Sequence, residues 1–133
     1  MITLEKDIPQ EYSAAEFLPG SIDLKKGDIV YPVGFGRSSN SQPLDNSAFY
    51  LKKSVGVNIL ADWGTHFLID QKNGGGMCKG DSGGPTFYFL NNKVYIAGIN
   101  HGVYPIDNCL DKSIVIKSQI FKAWVEQFTR ESP

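Results

Sequence analysis

From Asp28 onward the chain is cut into short apolar, aromatic and β-branched runs, each closed by Gly, Pro or Asn. That punctuation suits strands and leaves little room for helix. The runs are Asp28 to Gly36, Ala48 to Ile59, Thr65 to Asp70, Pro85 to Leu90, Val94 to Asn100 and Ser113 to Ser118, and six strands of this kind predict an all-β domain. Asn91-Asn92 separates Phe87-Tyr88-Phe89-Leu90 from Val94-Tyr95-Ile96. Asparagine tolerates the left-handed conformation of a tight turn, so a hairpin is expected there. Beyond Ser118, Ile120, Phe121, Trp124, Val125 and Phe128 recur at helical spacing, opposite Lys122, Glu126, Gln127 and Arg130. This pattern predicts an amphipathic helix over 119–130, docked on the wall of the β domain. Residues 1–27, broken by Pro9, Pro19 and Gly20, read as an extended lead-in to a β domain over 28–118, the whole forming one domain.

Composition narrows the function classes. With 133 residues, 41% hydrophobic and 20% charged, the chain has the makeup of an ordinary globular domain. Its net charge of −1 comes from scattered residues, which gives no footprint for nucleic acid or an anionic membrane. No apolar run approaches the roughly 20 residues that cross a bilayer, and Met1 to Lys6 lacks the regions of a signal peptide. Cys78 and Cys109 are the only two cysteines, and their spacing permits either one disulfide or two buried thiols. With only His66 and His101 to join them, no ligand-type spacing for a metal exists; no metal or other cofactor is expected.

Gly74 to Pro85 packs six of the 14 glycines into twelve positions around Ser82. Glycine lets backbone N–H groups approach a bound atom with no Cβ in the way, as an oxyanion hole requires. A plain Gly-rich turn accounts for Gly74 to Gly76 but not for Cys, Asp and Ser interleaved among the later glycines. Gly80-Asp81-Ser82-Gly83-Gly84 also fits the G-x-S-x-G elbow of α/β-hydrolases. That elbow leads into a helix, whereas Pro85-Thr86-Phe87-Tyr88-Phe89 reads as strand, so the elbow is rejected.

Gly80-Asp81-Ser82-Gly83-Gly84-Pro85, preceded by Cys78-Lys79, resembles the signature of the chymotrypsin/trypsin family of serine endopeptidases. Val33-Gly34-Phe35-Gly36 is similar to the family's Gly-Trp-Gly strand, Val94 to Gly102 to the strand that binds substrate backbone, and Ile120 to Phe128 to the closing helix. The fold this implies is a six-stranded antiparallel Greek-key β-barrel, the second barrel of the trypsin-like fold, with a C-terminal α-helix. Ile2 to Pro9 looks like the segment following the family's catalytic aspartate, so the chain is expected to begin just past that residue.

The resemblance implies a role for each matching residue. Ser82 would attack the scissile carbonyl, a histidine would take its proton and an aspartate would orient that histidine. The N–H groups of Gly80 and Ser82 would bind the oxyanion, and Asp81 would shape the loop. Neither His66 nor His101 matches the family's base, which implies that His and Asp come from an N-terminal lobe. Gly76 falls at the pocket floor, Ser113 at its wall and Gly102 at its entrance, with Met77, Lys79, Asn100 and His101 nearby. A pocket so lined is neutral and argues against Arg or Lys at the cleavage site and for an apolar or aromatic side chain, unless Asp107 or Asp111 points inward.

The resemblance also implies a Cys78–Cys109 bridge between the loop before Ser82 and the far side of the pocket. A bridge implies an oxidising compartment, hence a secreted or periplasmic parent protein. Two departures are Leu68 near a position of another family cysteine and the short link Ala61-Asp62-Trp63-Gly64. Two functions remain in view. One is a serine endopeptidase lobe acting on polypeptide substrates, open to protein inhibitors and inactive without its His- and Asp-bearing partner. The other is a non-catalytic, protease-derived binding module.

Overall fold

The computed structural model describes residues 4–37, 56–73 and 75–129. Its strands are β1 (Glu16–Phe17), β2 (Ile29–Pro32), β3 (Val57–Asp62), β4 (His66–Asp70), β5 (Pro85–Leu90), β6 (Lys93–Tyr104) and β7 (Lys112–Lys117), followed by helix α1 (Gln119–Thr129). Strands β2 to β7 run antiparallel in the order β6-β5-β2-β3-β4-β7, and a β6–β7 pairing closes them into a six-stranded barrel. Five of the six runs read from the sequence overlap these strands closely. The sixth, Ala48 to Ile59, meets β3 only from Val57, because residues 48–55 lie outside the described ones.

Alternation explains why the barrel closes. Val57 and Ile59 on β3 and Ser113 and Val115 on β7 are buried at every second position, as a strand with one face inward demands. Phe67 and Ile69 from β4, Val30 from β2 and Tyr95 and Ala97 from β6 complete the core. Pro85 costs no ladder bond because it opens its strand, and its carbonyl accepts the Val33 N–H at 2.9 Å. The Asn91-Asn92 hairpin is present, with both residues at positive φ (50° and 61°) and Leu90 paired to Lys93. Ala61 and Asp62, read from sequence as part of a link, belong to β3, and the turn to β4 is Trp63-Gly64-Thr65.

The first 27 residues do more than lead in. Glu16 and Phe17 pair in parallel with Tyr95 and Ile96 of β6, and Leu18 and Leu24 enter the core. The start of α1 is tied to the same region. Ser118 donates from its backbone N–H to the Ala97 carbonyl and from its hydroxyl to the Ile96 carbonyl, and Gln119 Nε2 donates to the carbonyls of Pro19 and Ile22. Beyond that anchor, Ile120, Phe121, Trp124 and Phe128 stay 36–51% exposed, so the helix rests on the barrel less completely than its apolar stripe suggests.

The β3–β4 hairpin carries a pH-sensitive pair. Asp62 accepts from Lys117 Nζ at 2.7 Å and from the Gly64 N–H at 2.9 Å. The Lys117 bond above all holds its carboxyl below the ordinary value of 3.8. Because the folded value lies below the unfolded one, the stabilisation is present at neutral pH and is lost as pH falls through the folded value. With the Asp62 side chain 35% exposed, solvent screening keeps the effect under about 1 kcal/mol. Asp62→Asn is expected to flatten the fall in stability below about pH 4, as urea midpoints measured between neutral and acid pH would show.

Candidate active site

The loop between β4 and β5 carries Ser82 at the barrel's end. Gly80 (φ 96°) and Gly83 (φ 84°) flank it in left-handed conformations that residues with a Cβ adopt only with strain. Asn100, on β6 and almost fully buried, fastens the loop from beneath. Its backbone N–H donates to the Gly84 carbonyl at 2.9 Å and its carbonyl accepts the Gly83 N–H at 2.8 Å. Its side chain accepts from Thr86 Oγ1 at 2.6 Å and donates to the Val33 carbonyl at 2.9 Å. Every polar end of this buried amide is therefore matched, which makes it a rigid support.

Asp81 is buried and turned away from the surface, where its carboxylate accepts the N–H groups of Gly36 at 2.7 Å and Cys78 at 2.8 Å. These bonds curl the loop between Cys78 and Ser82 around a single side chain. The Gly-rich strand end at residues 33–36 packs directly on it. A Cβ on Gly36 would lie 2.6 Å from both the Asp81 nitrogen and the Lys79 carbonyl oxygen, too close for any other residue without backbone movement. The Cys78–Cys109 disulfide is formed and fastens the start of the loop to the segment before β7.

Ser82 is exposed, and its hydroxyl donates to the His101 carbonyl at 2.9 Å. That carbonyl is available because the β6–β7 register shifts between Asn100 and Gly102, which leaves His101 as the extra residue of a bulge. Among the described residues, the N–H groups of Gly80 and Ser82 have no hydrogen-bond acceptor. His66 lies on β4, where its Nδ1 is 3.0 Å from Thr65 Oγ1 and its ring meets Trp63 edge-on. Neither imidazole is hydrogen-bonded to Ser82.

A cleft of about 490 Å³ opens beside Ser82. Ser82, Lys79, Cys78, His101 and Gly102 line one part of it; Val103, Tyr104, Ile106, Asp107 and Ile114 line the rest. Among the residues expected from the sequence, the structure therefore brings Ser82, Lys79, His101 and Gly102 together. Asn100, Met77 and Ser113 are buried and do not line the cleft, and Gly76 lies against Gln71. Asp107 faces the cleft, but Lys79 Nζ sits 2.7 Å from its Oδ1, so the two charges offset. Asp111 lies apart from the cleft, near Lys72 and Lys112. No group of His, Cys, Asp and Glu among the described residues could hold a metal ion.

The family model described as Trypsin matches residues 2–125. The chain belongs to the trypsin family. A trypsin-family, serine protease-like fold accounts for the closed barrel, the disulfide beside the serine loop and the single closing helix. A comparison with curated proteins found no match. A buried residue that sequence reasoning missed in this trypsin-family chain is Gln71, which binds Met77, Cys109 and Ser113. It looks like an ordinary polar residue after a strand, yet it is 1% exposed, and no local signal marks it.

Proposed function

We propose that this chain is the nucleophile-bearing lobe of a serine endopeptidase, working with a segment that supplies a histidine base and an aspartate. Ser82 is the nucleophile. A bond forms between its Oγ and the scissile carbonyl carbon while the imidazole takes the hydroxyl proton. The negative oxygen is held by the Gly80 and Ser82 N–H groups, each worth about 3–4 kcal/mol in such a site. The same imidazole then protonates the leaving amine, the C–N bond breaks, and water releases the acyl group from Ser82 by the reverse sequence. Asp81, whose carboxylate accepts the N–H groups of Gly36 and Cys78, keeps those donors in place.

The observation that carries this reading is the pair of amides, with no acceptor among the described residues, beside an exposed serine hydroxyl on a loop braced from beneath by Asn100. Polypeptides are the substrates, and protein inhibitors would occupy the same cleft. The Cys78–Cys109 bridge suits a secreted or periplasmic protein.

Fluorophosphonate labelling tests the reading. Ser82 is expected to label when a His- and Asp-bearing segment is added, and to stay unlabelled in the isolated chain. No labelling in either condition, together with tight binding of a protein ligand, would replace the protease lobe with a non-catalytic binding module.

A further inference from the structure

We propose that the Lys79–Asp107 ion pair decides which charge the cleft beside Ser82 accepts: intact, it turns both acidic and basic side chains of a polypeptide away, and either member alone would select for its opposite. The inference rests on the protease-lobe reading and adds what that site discriminates.

The pair joins two loops that border the cleft. Lys79 lies on the β4–β5 loop that carries Ser82, Asp107 lies in the turn after β6, and both line the cleft. Their backbones are held independently of the charges. The Lys79 carbonyl accepts the Arg37 N–H at 2.9 Å, and the Asn108 N–H closes the turn on the Pro105 carbonyl at 3.1 Å. The Cys78–Cys109 bridge, with its Cα atoms 5.0 Å apart, ties the two loops together next to Lys79 and close to Asp107. Both side chains are thus delivered to the same place, where Lys79 Nζ meets Asp107 Oδ1 at 2.7 Å.

The composition of the lining gives this pair its consequence. Among the described residues that line the cleft, Lys79 is the one Lys or Arg and Asp107 the one carboxylate; His101 adds an imidazole, and Val103, Ile106 and Ile114 supply apolar surface. A charged side chain entering there gives up water against apolar walls. It then meets an attractive and a repulsive charge side by side, so little is returned. An uncharged side chain, aliphatic or aromatic, meets no such cost. Removing one member changes the balance, because two unit charges about 4 Å apart attract strongly enough, even screened by water, to shift a binding constant about fivefold. The pair can be altered without touching the core, since its side chains are 45% and 66% exposed. Asp107 has φ 68°, a conformation that asparagine shares readily, so Asp107→Asn removes the charge and leaves the turn.

The test is an NMR titration of the isotope-labelled chain with N-acetyl-Ala-Ala-Met, N-acetyl-Ala-Ala-Lys and N-acetyl-Ala-Ala-Glu methylamides, following the amides of Cys78, Val103 and Ile114. It is run at about pH 8, so that histidine charge stays out of the comparison. The wild-type chain is expected to bind the methionine peptide most tightly and the lysine and glutamate peptides about equally. Lys79→Met should favour lysine over glutamate about fivefold, and Asp107→Asn should favour glutamate over lysine by the same factor. The double variant should bring that ratio back to unity. A lysine-to-glutamate ratio that moves by less than about twofold in both single variants, or a wild-type chain that prefers either charged peptide to methionine, overturns the proposal while leaving the protease reading intact. If none of the peptides shifts the cleft amides in any variant, the cleft is not a substrate site, and the protease reading falls together with this proposal.

Discussion

In enzyme reconstituted with the His- and Asp-bearing lobe, Ser82→Ala is expected to lower kcat on a peptide amide by about a million-fold, with KM nearly unchanged. The asymmetry follows from where the hydroxyl acts. Its bond to the acyl carbon exists only after attack begins, so removing the oxygen leaves ground-state binding in the cleft untouched and removes the covalent route altogether. The loop itself should survive, because its shape comes from Asp81 and Asn100. Among the described residues, the Ser82 hydroxyl gives up one exposed bond, that to the His101 carbonyl. The Gly80 and Ser82 amides remain in the variant, which should keep about a thousandfold advantage over water. Steady-state kinetics on wild type and variant check this; a loss of less than about tenfold would mean that another group is the nucleophile.

The Cys78→Ala/Cys109→Ala double variant is expected to lose about 3–4 kcal/mol of stability and about 10–15 °C in Tm. The bridge spans a sequence separation of 31 residues, and releasing it returns the corresponding loop entropy to the unfolded chain. The damage is expected to be greatest beside Ser82. Cys78 donates its N–H to Asp81, lines the cleft and follows Met77, which Gln71 binds, so the freed segment is the one that leads into the Ser82 loop. Urea denaturation measures the global loss, and hydrogen exchange at Gly80 to Gly84 measures the local one. A double variant within 1 kcal/mol of wild type would show that the hydrogen bonds alone hold this corner, since about 1 kcal/mol is the usual worth of one such bond.

Short-range physics made much of this legible before any coordinates. The Asn91-Asn92 turn was readable because two adjacent asparagines between β runs answer a local steric demand, and both adopt positive φ. The run that became β7 was readable for the same reason, since β-branched residues bounded by turn formers mark a strand locally. Ser82 stood out through a compact motif, and the Cys78–Cys109 bridge was what the family resemblance implied. The parallel pairing of Glu16–Phe17 with β6 was not readable, because two residues carry no periodic signal and their partners lie about eighty positions away. Nor was the exposure of the α1 stripe, for a hydrophobic face tells what a helix can bury and not what reaches it.

The amino-acid sequence alone determined an all-β domain, one closing helix and a glycine-rich loop around Ser82, all encoded by residues within a few positions of one another. Tertiary structure alone decided what stands next to that loop. The bulge that offers the His101 carbonyl, the Lys79–Asp107 pair and the burial of Gln71 each depend on segments 12 to 42 residues apart along the chain being brought into contact. Contacts of that kind are set by how the whole barrel closes, and no local pattern of residue types records them.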